Sequence, residues 1–292
     1  MQVKIVVGTI AFMLTMMIMG FAALREPTRL EEYTHAFEGR SIENGARIFE
    51  GNCATCHGVN GKAEECYNTV GEQIGCQGLP LNYQPLLCGD ISDRTARMNA
   101  MNWAGTKGAF IESVVAAGRA GTAMPVWSAQ FGGPMRDDEI KNVVAFVLNW
   151  ESETLCSEVL PTFDWPTLAE TFMVDFPDGD AVNGEALFVS YGCSGCHGSP
   201  DGSIPAAVGP DLSNIAVDGA TRIVDYTAVM YIYESILEPN AYIAEQCPTG
   251  PCVGPPSAMP ANFAERMSAN PQDMADMLAY LMGQLSRKRN YK

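Results

Sequence analysis

The chain has 292 residues, of which 47% are hydrophobic and 18% charged, with a formal charge of −16 at pH 7. That length suits about two domains, and the composition excludes a disordered chain. The acidic balance excludes nucleic acid as a partner, because a phosphate backbone repels it.

Residues 5–24, IVVGTIAFMLTMMIMGFAAL, carry no charge. Twenty helical residues span ~30 Å, the hydrocarbon thickness of a bilayer. Residues 1–24 are therefore expected to form a single-pass transmembrane anchor. A cleaved leader is the rival reading, with GFA at 20–22 as its cleavage site. The apolar run, however, exceeds the ~7–15 residues of a leader's core. No cysteine stands near enough to carry a lipid, the first being Cys53. Lys4 on one side and Arg25 and Arg29 on the other leave the positive-inside rule undecided. Residues 25–37 read as a juxtamembrane connector in which His35 sits in a solvated or interfacial place.

Residues 38–156 read as a first domain. NGARIF at 44–49 opens it, CATCH at 53–57 follows, and AEECYNTVGEQIGCQG at 63–78 is an insertion tied by a disulfide. AMPVW at 123–127 and DEIKNVVAFV at 138–147 close it. Ile140, Val143, Val144 and Val147 fall at helical spacing, and Asp137 is a reasonable start for that helix. Residues 157–177 read as a linker, within a stretch to residue 180 that holds three prolines, six acidic residues and no basic one. It is expected to run semi-extended over the surface, pinned by Trp165 and nearby phenylalanines.

Residues 178–292 read as a second domain in which the same pattern returns. NGEALF at 183–188, CSGCH at 193–197, AMPANF at 258–263 and QDMADMLAYL at 272–281 match their counterparts in order. Met274, Met277, Leu278 and Leu281 repeat the helical spacing, after Asn270 and Pro271 as a start. A basic tail, RKRNYK, ends the chain. The whole reads as all-α: a transmembrane helix followed by two helical domains.

C-x-x-C-H is the pattern that attaches haem covalently. Two cysteines at fixed separation meet the two vinyl groups, and the next residue presents an imidazole to the iron. Zinc is the competing reading, but no further cysteine–histidine pair completes either site. The expected cofactors are two covalently attached haems c. Cys53, Cys56, Cys193 and Cys196 would bind them, and His57 and His197 would ligate the irons. Met124 and Met259 are expected as the opposite ligands, because each precedes a proline, 67 and 62 positions after its histidine. Met98, Met101 and Met135 compete in the first domain and Met267 in the second. A ligating imidazole normally donates its other N–H to a carbonyl, and Pro210 and Pro80 are the expected acceptors for His197 and His57.

Six of the ten cysteines lie outside the two motifs. Their even number suits three disulfides in an extracytoplasmic compartment. Fifteen pairings are open, and proximity favours Cys66–Cys76 and Cys247–Cys252, leaving Cys88–Cys156.

On these motifs, both halves resemble class I cytochrome c domains, over about residues 38–152 and 178–286. Gly45 with Phe146, and Gly184 with Tyr280, match that family's contact between first and last helices. YIYESILEPNAYI at 231–243, followed by MPANF, is similar to cytochrome domains of caa3-type oxidases. The layout is similar to di-haem cytochrome c subunits of cbb3-type oxidases and of quinol-oxidising cytochrome bc complexes. The resemblance implies a respiratory-chain subunit that transfers electrons on the periplasmic face of the cell membrane without catalysing a reaction itself. Its expected partners are integral membrane redox subunits and a soluble or peripheral carrier. That carrier would bear a basic patch, since residues 161–286 hold 16 Asp and Glu against 2 Arg. The alternative is a di-haem enzyme: a peroxidase, or a thiosulfate-oxidising cytochrome using Cys66, Cys76 or Cys88 as a ligand.

Overall fold

The computed structural model describes residues 2–89, 95–120 and 122–290; the side chains of Ala96, Ala100 and 284–290 are outside the description, and with them the basic tail. Helix α1 runs Gln2–Asn52 without interruption, with Pro27 inside it. Its apolar part has a mean hydropathy of 2.2 over its best window and buries none of it against the rest of the chain. Among the described residues it is the one helix long and apolar enough to cross a membrane.

The helix runs unbroken through the connector over 25–37. The apolar helix continues as a stalk into the first domain, supported by pairing of Glu26 with Arg29 and of His35 with Glu38 three residues on. At 1.5 Å per residue, the fourteen residues 25–38 hold the first domain only about 20 Å beyond the apolar part, less than half their extended reach.

The end of α1 packs on α6 (Asp137–Leu148). A Cβ on Gly45 would lie 1.9 Å from the Asn142 carbonyl oxygen, so the helices touch backbone to backbone there. Phe49 fills the crossing with Phe146 and Trp150, at ring distances of 5.4 and 5.2 Å. Between them come α2 (Ala54–His57), a short hairpin pairing β1 (Cys66–Tyr67) with β2 (Gln73–Ile74), α3 (Gln84–Leu87), α4 (Ala96–Ala100) and α5 (Lys107–Ala117). Thr106 caps α5 by accepting from Ala109 N–H. Acidic Asp137, Asp138 and Glu139 fill the first turn of α6, where the helix dipole favours them. Helix α7 (Glu153–Ser157) returns to α3 through the Cys88–Cys156 disulfide.

The expected surface linker carries a helix, α8 (Ala169–Asp175), and belongs to the second core. Phe172 is fully buried there, and Trp165 Nε1 donates to the Ala264 carbonyl at 2.8 Å. Helices α9 (Ala181–Ser190), α10 (Cys193–His197), α11 (Ile215–Arg222), α12 (Ala228–Leu237), α13 (Phe263–Met267) and α14 (Gln272–Asn290) complete the second domain. Helices α9 and α14 repeat the crossing of α1 on α6. Gly184 lies against the Asp276 carbonyl, and Phe188 packs on Tyr280 at 5.6 Å. Asp276 is buried but well supplied, accepting from Asp180 N–H, Asn183 and Gln272.

Because an added Cβ at Gly184 would sit 2.1 Å from backbone, Gly184→Ala is expected to lower the second domain's stability by about 1–3 kcal/mol. Thermal unfolding followed by circular dichroism checks this. An unchanged melt would mean the two helices do not meet at that residue.

Candidate functional site

Among the described residues, each domain holds a large cavity. Each is built where the attachment turn faces the loop that carries a Met-Pro pair. The first is lined by Cys53, Cys56, His57, Leu79, Met124 and Pro125, and encloses ≈ 1650 Å³ of empty space including its mouth. The second is lined by Cys193, Cys196, His197, Pro210, Met259 and Pro260, and encloses ≈ 1320 Å³. The fold therefore gathers all eight residues expected from the sequence into two sets of four.

In each attachment turn a short helix sets the imidazole beside both thiols. A glycine then fixes it from the far side. Gly78 N–H donates to the Cys56 carbonyl at 2.8 Å, and Gly209 N–H to the Cys196 carbonyl at 3.0 Å. The residue after each glycine supplies the acceptor for the ring. His197 Nδ1 bonds the Pro210 carbonyl at 2.7 Å, as expected. His57 Nδ1 bonds the Leu79 carbonyl at 2.7 Å, not that of Pro80. The proline is displaced by one position in the first domain, whereas the glycine keeps its place. An added Cβ on Gly78 or Gly209 would fall 2.4 Å or 2.5 Å from the ring, so only glycine fits flush against it. Sequence reasoning missed both glycines, whose signal is that each stands next to its acceptor in the repeat.

Burial pushes both histidines below the ordinary imidazole range, opposed by their carbonyl bonds. Each ring is thus neutral near pH 7, with Nδ1 engaged and the Nε2 lone pair left for a metal. Burial also pushes the Cys53 and Cys193 thiols up to about 12.

The methionines separate by place. Met98 and Met267 are sealed in the two cores, and Met101 is exposed. Met124 and Met135 both line the first cavity. The second cavity is lined by Met259 with no counterpart of Met135, so the repeated position is that of Met124 and Met259. Arg119 N–H donates to the Met124 carbonyl at 3.1 Å, closing the turn that presents this methionine. These features fit a covalently held tetrapyrrole in each cavity. Cys53 and Cys56, or Cys193 and Cys196, would bind its periphery, and His57 with Met124, or His197 with Met259, would hold its metal.

The other six cysteines form Cys66–Cys76, Cys88–Cys156 and Cys247–Cys252. Cys66, Cys76 and Cys88 are therefore not free to act as thiolate ligands. His35 is exposed on the stalk, 3.7 Å from Glu38.

The two cavities adjoin. Gln77, Gly78, Leu79, Cys196, Ala258 and Pro260 line both. The Cys66–Cys76 loop makes the joint, with the Cys76 carbonyl against Gly192 and the Gln77 side chain against Gly195 in the second attachment turn. Arg97 Nη1 donates across the joint to the Ser257 carbonyl at 3.0 Å, and the Tyr83 hydroxyl donates to Glu265.

The family model described as Cytochrome c matches residues 42–151 and again residues 181–284. No curated protein and no solved structure matches the chain.

Proposed function

The chain belongs to the cytochrome c family, whose domain it carries twice, and from that premise we propose that it is a membrane-anchored di-haem electron-transfer subunit. Cytochrome c domains carry covalently bound haem c and serve haem-based electron transfer. We place one haem in each cavity. That placement is supported above all by one observation: the repeated set of two cysteines, a carbonyl-fixed histidine and a Met-Pro turn lines each of two adjoining cavities. When bound, the haem iron takes up and releases one electron. The chain's part would be to hold each iron through a histidine and a methionine, His57 with Met124 and His197 with Met259, so that substrate is kept from it, and to hold the two groups in adjoining cavities.

The peroxidase alternative needs one iron with a displaceable ligand, and each cavity here carries a methionine at the repeated place. The thiosulfate-oxidising alternative needs a cysteine ligand, and the three cysteines it would use are in disulfides.

Helix α1 supports an uncleaved anchor, and the three disulfides support an extracytoplasmic face. The short rigid stalk favours a membrane redox subunit, such as a quinol-oxidising or oxidase core, as the first haem's partner. The acidic second domain favours a soluble or peripheral carrier with a basic patch. Deleting residues 1–24 behind a cleavable leader should release a soluble protein that keeps its haem. A native chain found by mass spectrometry to begin near Ala23 would remove the anchor.

Exchange with the soluble carrier should slow as salt rises, since the Debye length falls from ~10 Å at 0.1 M to ~3 Å at 1 M. Stopped-flow kinetics measure this, and charge reversal at Asp211, Asp218 and Glu245 should flatten the dependence. A rate indifferent to salt would contradict the docking face.

A further inference from the structure

Residues 75–79 touch both attachment turns. Gly78 and Leu79 hold the first, through the bonds to Cys56 and His57 already described. The three residues before them press on the second. An added Cβ on Gly75 would fall 2.7 Å from the Ser194 hydroxyl oxygen and 3.0 Å from the Val189 carbonyl oxygen. One on Gly192 would fall 2.2 Å from the Cys76 carbonyl oxygen, and one on Gly195 2.6 Å from the Gln77 side chain. A single short run of chain is therefore packed tightly against one C-x-x-C-H turn at its start and against the other at its end.

What braces the run is an insertion that the second domain lacks. Gly78 stands 21 positions after His57, whereas Gly209 stands 12 after His197. The excess forms the β1–β2 hairpin, in which Cys66 pairs with Ile74. The Asn68 side chain closes its turn by accepting from the Val70 and Glu72 N–H groups. A two-stranded hairpin this short is marginal by itself. Here the Cys66–Cys76 disulfide restricts the ways it can open. Both cysteines are buried with Ala63 in a small core of their own, against which Ile74 packs. Seating a histidine needs none of this, because the second domain seats His197 on its shorter loop. What the insertion adds is the contact with the second attachment turn.

We propose that residues 75–79, braced by the Cys66–Cys76 hairpin, are a positioning element that fixes the spacing and mutual angle of the two haem sites, and through them the rate at which an electron passes between the haems. The proposal rests on the reading given under Proposed function. In that passage one iron is oxidised as the other is reduced, and no bond forms or breaks. Orientation of a cofactor is the protein's part in such chemistry, and it is held best by a rigid support. The domains are joined as well by Arg97 to the Ser257 carbonyl and by Tyr83 to Glu265. Loss of the hairpin's grip therefore turns one site against the other without parting the domains.

The test uses the full chain in detergent with both haems attached. Haem content is measured first: a wild-type chain with fewer than two haems would sink the underlying reading rather than the positioning element. Circular dichroism in the Soret region then reads the mutual geometry. Two haems held at a fixed angle split that band into a couplet whose size follows their separation and angle. Two variants disturb the run without replacing a residue of either attachment turn. Gly75→Leu drives a side chain into Ser194 and Val189, and Cys66→Ala with Cys76→Ala frees the hairpin. In both, the couplet is expected to lose most of its amplitude while the low-spin absorption of both haems stays. Electron equilibration between the haems after pulse reduction should slow several-fold. Val70→Ser, at the exposed tip of the hairpin, should change neither readout. If the double variant does not assemble, Gly75→Leu supplies both measurements.

Two haems without a couplet in the wild-type chain, or a couplet unchanged in the variants, would overturn the positioning element. Lost low-spin absorption of the first haem with the couplet's shape retained would mean that the run seats His57 and nothing more. A couplet lost at an unchanged rate of equilibration would overturn the control of electron passage.

Discussion

Met259→His is expected to lower the midpoint potential of the second haem by a few tenths of a volt, within the roughly 0.8 V range that axial ligands span. A thioether favours ferrous iron, and a second imidazole favours ferric iron. Met124→His should act in the same way on the first haem. Each change should leave the other haem's wave nearly in place, because each methionine lines its own cavity. Met135 gives the control. It also borders the first cavity but is buried in the first core. Met135→Leu should therefore cost some stability and keep the low-spin spectrum. If Met124→Ala leaves the first haem's spectrum and potential unchanged while Met135→Leu alters them, the ligand is Met135.

Gly209→Ala should damage the second haem site without replacing any ligand. The new Cβ would fall 2.5 Å from the His197 ring. The ring cannot withdraw freely, since its Nδ1 is bonded to the Pro210 carbonyl. Gly209 cannot withdraw either, since its N–H is bonded to the Cys196 carbonyl. Relief requires loss of the Nδ1 bond, and losing such an outer partner of a metal ligand typically costs roughly 10–100-fold in affinity or activity. The expected outcome is a strongly reduced yield of low-spin second haem, with the first haem normal. Gly78→Ala should give the mirror result. Two normal spectra at full haem content would show that the glycines do not constrain the rings.

Much of this site is legible in the sequence because covalent chemistry fixes spacing. Two vinyl groups and an iron demand C-x-x-C-H, and its recurrence before a Met-Pro marks both cavities. The crossings of α1 on α6 and of α9 on α14 follow from the resemblance to class I cytochrome c domains, and the glycines at residues 45 and 184 permit so close an approach. The continuity of α1 was not legible. Residues 25–41 have no apolar periodicity, and the helix there rests on propensity and local charge pairs, which a pattern search passes over. Helix α8 hid for the opposite reason: the prolines and acids around it signal surface, while Phe172 and Trp165 turn inward. The Leu79 acceptor was misplaced because the proline is the more visible residue, yet the glycine sets the geometry. The packing of the Cys66–Cys76 loop on α10 is a long-range outcome of folding that no local spacing records.

The central claim is that one chain holds two covalent haems in adjoining cavities. A pyridine haemochrome assay on denatured, acid-extracted protein, set against amino-acid analysis, tests it most directly. The account predicts two haems c retained per chain; one haem per chain, or none, would contradict it.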